Sequence, residues 1–318
     1  MMTRRLSVLV LTVTVLLLLL GTVSSLLVHR RYDAIFSFGD SFTDTGDNLA
    51  VLAALSLPNP AAGPPYGITF FGGNPTGHNS DGRLIIDFIA EELGLPLVPP
   101  FLAHNVSFRR GANFAVAVAT AIDAGRRGMP RRQLLSSQHQ LQRAAAVVRV
   151  AQTVTVQLQP CPQCKSFFKN SLFFMGEFGV NDYGFSAIIG KSLPHIRSLV
   201  VPKVIRTISA ATERIVKAGA KTVVVPGVPP LGCAPSNLMQ FPSVDPEDYD
   251  SRTGCLKQFD DLAMHHNSLL HKAIKTIRRK HHNVRVIYVD FFTPIIRMIE
   301  SPHKVYQRYS EMLLRWRR

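Results

Sequence analysis

The sequence predicts an α/β chain built on a mainly parallel sheet with helices on both faces. Five short apolar runs, at 32–38, 112–118, 171–176, 221–226 and 284–290, are rich in β-branched and aromatic residues. Between them lie longer segments whose apolar residues recur at helical spacing, and strands alternating with helices in this way form parallel sheets covered on both sides. Polar and Gly/Pro-rich motifs follow the strands, at the end of such a sheet where ligands bind.

The first run, 32–38, reads as a buried strand, and Gly39-Asp40-Ser41 follows it directly. Gly39 permits a tight turn. The small polar residues 43–48 suit a helix start, with Leu49, Leu52 and Ala53 as its apolar positions. A serine on that turn exposes its hydroxyl at the carboxyl end of the sheet, where its own N–H faces an oxyanion. Residues 57–82, rich in Pro, Gly and Asn, read as a long loop over this end, and 84–93 as a helix ended by Gly94.

The run at 171–176 leads straight into Glu177-Phe-Gly-Val-Asn-Asp-Tyr183. Helical spacing marks 196–217, closed by Ala218-Gly219, and again 256–277. Between those helices, the strand at 221–226 opens into a Pro-rich loop. His265 and His266 lie on the second helix, where packing explains them, and His281 and His282 suit a helix C-terminus.

With 318 residues and 46% hydrophobic content, the chain is long enough to bury one large core. Residues 1–28 carry Arg4 and Arg5, an apolar run to Leu20 and small residues up to Ser25, the pattern of a secretory signal peptide cleaved near Ser25. An uncleaved membrane anchor is the alternative. The net charge of +15 is concentrated in 1–31, 125–160 and 303–318, so the remaining body is nearly neutral. That distribution argues against nucleic acid as a partner. Four cysteines suit an oxidising compartment. Cys161 and Cys164 form a Cys-x-x-Cys with no second ligand pair, so neither a metal nor another cofactor is expected. Asn105-Val-Ser107 is a glycosylation sequon in a polar stretch.

Five motifs occur in one order: Gly39-Asp-Ser41 with Asp44-Thr-Gly46, Ser80-Asp-Gly-Arg-Leu-Ile-Ile-Asp-Phe-Ile-Ala90, Phe108-Arg-Arg-Gly-Ala-Asn-Phe-Ala115, Gly179-Val-Asn-Asp182 and Pro226-Gly-Val-Pro-Pro-Leu-Gly-Cys233. Together they resemble the plant GDSL esterase/lipase family of the SGNH hydrolases, over roughly 32–124 and 161–303. The resemblance implies a flavodoxin-like three-layer α/β/α sandwich that hydrolyses acyl esters or lipids through an acyl-serine. On this reading Ser41 matches the nucleophile, while Gly82 and Asn181 match the backbone and side-chain donors to the oxyanion. Three fixed donors at a developing negative charge are what acyl transfer requires. The resemblance also pairs Cys233 with Cys255, both in the loop between the fourth strand and the next helix. Closing that interval restricts the unfolded chain by ~3 kcal/mol.

The domain organisation expected is a signal peptide at 1–28, a hydrolase domain at 29–304 and a basic tail at 305–318 that departs from the family. Residues 125–153, rich in Arg and Gln, also depart from it. The family's triad base and acid come from an Asp-x-x-His motif, which occurs nowhere in the 318 residues. Glu300-Ser-Pro-His303 has the required spacing and is weighed as a substitute acid and base, although it lies early in the chain. The leading expectation is therefore a secreted serine ester hydrolase. Its rivals are an inactive relative that binds an acyl ligand and a truncated product without function.

Overall fold

The computed structural model describes residues 31–54, 56–122 and 162–303. The expected signal peptide, the 125–153 segment, Cys161, the Cys164 side chain and the 305–318 tail lie outside the described residues. All elements below belong to the unit Asp33–Arg318.

Strand β1, Ala34–Phe38, is an interior strand of a five-stranded sheet with β2 (Gly111–Asn113), β3 (Ser171–Met175), β4 (Thr222–Pro226) and β5 (Arg285–Val289). The order is β2-β1-β3-β4-β5 and every pairing is parallel. This is the doubly wound order in which the chain reverses direction beside β1, so the crevice at the carboxyl ends opens there. The expected parallel sheet is therefore present. Continuous burial of Ser171–Met175 explains why its sequence is apolar throughout rather than alternating.

Nine helices accompany the sheet among the described residues: α1 (Asp47–Ala54), α2 (Ile85–Glu92), α3 (Pro162–Lys169), α4 (Val180–Ile188), α5 (Leu193–His195), α6 (Val201–Ala218), α7 (Pro235–Gln240), α8 (Lys257–Lys280) and α9 (Phe292–Glu300). A π-helical stretch, Ile196–Val200, joins α5 to α6. The α6 face Val204, Ile208 and Ile215 packs with Leu262, Leu270 and Ile274 of α8 and with Phe173 and Val223 of the sheet in one core.

Strand β2 is shorter than the run 112–118 suggests. After Asn113 its backbone is claimed by side chains: Asn113 Oδ1 accepts the Ala115 N–H at 3.0 Å and Asp44 Oδ2 the Ala117 N–H at 2.7 Å. The alternate N–H groups still reach the chain of β1 and its turn, Phe114 on the Ser37 carbonyl at 2.8 Å and Val116 on the Gly39 carbonyl at 3.3 Å, so the buried donors of 114–117 are satisfied without a regular strand. Gly111 permits the β1–β2 approach. Its φ is +109°, and a Cβ there would drive into the Ile35 carbonyl oxygen.

Candidate active site

Residues 39–46 form a turn after β1 that is held from several sides. The Thr43 N–H donates to the Asp40 carbonyl at 3.1 Å, and the Phe42 N–H to Asp40 Oδ1 at 3.1 Å, which leaves Ser41 half-buried at the turn's crest. Gly176 passes close behind, its N–H on the Phe38 carbonyl at 2.7 Å. Thr43 Oγ1 donates to Glu177 Oε2 at 2.7 Å. Asn113 Nδ2 reaches both the Thr43 carbonyl at 2.6 Å and Thr45 Oγ1 at 3.0 Å.

Asn181 lies in the first turn of α4, after β3. Its Nδ2 donates to Asp40 Oδ2 at 3.1 Å and to the Ala119 carbonyl at 2.9 Å. The candidate oxyanion amide is thus tied to the residue that precedes Ser41. Gly82 is buried just before α2, and its N–H donates to Ser80 Oγ at 3.1 Å. The loop carrying it is pinned by Thr69 N–H to the Asp81 carbonyl at 2.8 Å, and to the serine turn by Asn79 N–H on the Asp44 carbonyl at 3.3 Å. No hydrogen bond among the described residues joins Gly82 directly to Ser41 or Asn181.

Beneath the turn sits a cluster of acids absent from the sequence reading. Asp40, Asp44, Glu177 and Asp182 are all buried. Burial pushes the Asp40 carboxyl well above the ordinary range, and the neighbouring Glu177, Asp182 and Asp44 push it further. Burial raises Glu177 to about 7, and its Oε1 has no hydrogen-bond partner among the described residues. Asp44 is raised to about 6 by burial despite accepting several backbone N–H groups, among them Gly46 and Ala117. Asp182 accepts the N–H groups of Ala121 and Ile122 at 2.8 and 3.0 Å, fixing the loop beyond β2. Side chains that fasten backbone N–H groups in this way pre-organise a crevice without touching a substrate. The motif residues Asp44, Asn113 and Asp182 held this signal as carboxylates and amides in short polar runs beside buried strands.

The remaining expected residues are placed as follows. Glu300 Oε1 pairs with Arg252 Nη1 at 3.0 Å, and His303 is exposed beyond α9. His266 is fully buried, with Nδ1 2.5 Å from Tyr183 Oη, so it packs in the core as expected, and burial lowers its pKa to about 3. His78, absent from the sequence reading, is buried beside Asp87, its Nε2 3.4 Å from Oδ2. Cys233 and Cys255 are disulfide-bonded, as the resemblance implies, with Cα atoms 4.4 Å apart. Asp260 lies beside them, but the bonded sulfurs leave a metal only its carboxylate. Asn105 is exposed.

A parallel sheet of this order, with its motif residues gathered at the carboxyl end of β1 and β3, has the architecture of the SGNH hydrolases. The family described as GDSL-like Lipase/Acylhydrolase matches residues 35–312, and the chain belongs to it. A GDSL esterase/lipase of Arabidopsis thaliana is 38% identical over 286 residues, covering 90% of this chain and 72% of the relative. A protein named sinapine esterase, from Brassica napus, is 40% identical over 277 residues, covering 86% and 70%. The chain is accordingly a hydrolase of the class that acts on ester bonds. No described helix is long and apolar enough to cross a membrane.

Proposed function

We propose that this protein is a secreted carboxylic-ester hydrolase that works through an acyl-serine on Ser41. The observation that carries the reading is the bond from Asn181 to Asp40, which sets an amide donor beside the turn bearing Ser41. Ser41 Oγ attacks the ester carbonyl, the alcohol leaves, and water releases the acid from the acyl-enzyme. The carbonyl oxygen, as it gains charge, is received by the N–H of Gly82, the amide of Asn181 and the N–H of Ser41. In the structure the first two are bonded to Ser80, Asp40 and Ala119. The substrate oxygen therefore competes with acceptors of the protein for these donors, and the loops that carry them are already fixed in place.

A fluorophosphonate that traps activated serines tests the reading. Peptide mapping is expected to place the adduct on Ser41, with none in Ser41→Ala. An adduct on another residue, or none in folded protein, would overturn it. One observation favours a second reading, a family member that holds an acyl ligand without turning it over: the Asn181 amide is already engaged by Asp40 and the Ala119 carbonyl. Glu300 and His303 have the spacing of an acid and base pair, and Glu300 already pairs with Arg252. Folded protein that retains an acyl ligand and leaves Ser41 unlabelled would establish that second reading.

A further inference from the structure

A pocket of about 320 Å³ opens at the far end of α4 from Asn181, between that helix end, the start of α5 and the disulfide-bonded segment before α8. That volume falls at the lower end of the range for small-molecule sites. Its apolar wall comes from Ala187, Leu193, Phe241, Leu256 and Phe259, with the Phe241 and Phe259 rings 5.1 Å apart. The wall is pre-formed. The Cys233–Cys255 disulfide, Leu256 N–H on the Gly232 carbonyl at 3.0 Å and Gly232 N–H on Asp260 Oδ1 at 2.7 Å hold it in place.

Two charged side chains line the same pocket, and they differ in what they bind. Asp248 Oδ2 accepts the Ser243 hydroxyl at 2.5 Å, and Ser243 is itself pinned by its N–H on Tyr249 Oη at 2.8 Å. Lys191 is half-buried, and among the described residues its ammonium makes neither an ion pair nor a hydrogen bond. A half-buried cation beside an apolar wall is complemented by an anion that carries an apolar body. Water alone would leave the wall wet, whereas an apolar tail gains by covering it.

We propose that this pocket binds a monocarboxylate with an apolar tail, its carboxylate on Lys191 and its tail against Phe241, Leu256 and Phe259. Carboxylic acids are what ester hydrolysis releases, so the ligand belongs to the chemical class of the enzyme's own product. The assignment is independent of whether Ser41 is the nucleophile.

Octanoate is the probe, titrated into the full chain by calorimetry, with octan-1-ol and octylammonium as controls and amide chemical shifts locating the site. Octanoate is expected to bind at one saturable site with shifts at Lys191 and Leu193. Lys191→Gln should weaken it tenfold or more, Asp248→Asn should tighten it by removing a like charge, and Ser41→Ala should leave it unchanged. Both pocket positions are partly exposed, and unchanged thermal melting would show that these variants fold. Equal affinity for octan-1-ol, tighter binding of octylammonium, an unaltered Kd in Lys191→Gln, or shifts confined to the Ser41 crevice would each overturn the proposal.

Discussion

Asn181 Nδ2 donates to Asp40 Oδ2 at 3.1 Å, so the helix that follows β3 is fastened to the turn that follows β1 through the residue next to Ser41. The other carboxylate oxygen of Asp40 holds the Phe42 N–H at 3.1 Å. One buried side chain thus sets both the curvature of the serine turn and the direction of the amide.

Asp40→Ala is therefore expected to lower the rate of phosphonate labelling at Ser41 by about 10²-fold, the scale of losing one oxyanion donor. Asp40→Asn, which keeps an oxygen for the Phe42 N–H, should lose less. Stopped labelling reactions with both variants, alongside their melting curves, check this. Equal rates in Asp40→Ala and the unaltered protein would dissociate the carboxylate from the site.

The buried acids make stability fall as pH rises. Glu177 titrates near 7 in the folded chain against 4.5 as an ordinary glutamate, and Asp44 near 6 against 3.8. Between those values the folded state binds more protons than the unfolded state, so unfolding becomes easier with increasing pH. For Glu177 the loss amounts to about 3 kcal/mol by pH 8. Chemical denaturation at pH 5 and pH 8 is expected to show the drop, and Glu177→Gln, which can still accept from Thr43, should diminish it. A variant whose stability falls as steeply as that of the unaltered chain would locate the effect elsewhere.

Replacing Cys233 and Cys255 with serine removes a cross-link spanning 22 positions. The chain-entropy relation gives ~3 kcal/mol for a loop of that size. The denaturation midpoint should fall accordingly, and a reducing agent should lower the unaltered protein to the same value. A midpoint insensitive to both treatments would contradict it.

Gly111→Ala should be among the most damaging single-carbon additions. At φ +109° an L side chain is strained, and its Cβ would enter the Ile35 carbonyl, which belongs to the interior strand β1. The cost is expected to exceed about 3 kcal/mol, measured as lost soluble yield or a lowered melting temperature. Gly94→Ala, also at positive φ (+64°) but with open space around it, should cost far less.

All five strands were legible because each is a short apolar run closed by turn residues, and parallel pairing followed from the helices between them. Helix α4 escaped because its first turn, Val180-Asn181-Asp182-Tyr183, is polar where a helix face would be apolar, and Gly184 interrupts the period. Its polar residues face the crevice loops instead: Asp182 caps Ala121 and Ile122 rather than facing water. Strand β2 was read too long for the converse reason, because 114–118 is apolar yet the N–H groups of Ala115 and Ala117 are taken by the side chains of Asn113 and Asp44.

By itself the sequence determined the alternation of strands and helices, the seat of Ser41 on the turn after β1, and the family to which its ordered motifs point. The first two are local properties, set by periodicity and turn chemistry, whereas the family rests on the resemblance carried by the five ordered motifs. Only the tertiary structure decided that Asp40 meets Asn181 across 141 positions and Thr43 meets Glu177 across 134. It alone brought four carboxyl groups into one buried cluster and set Lys191 in one pocket with an apolar wall. Whether a carboxylate is an exposed cap or a buried clasp depends on which distant segments exclude water from it, and that is settled only when the sheet assembles.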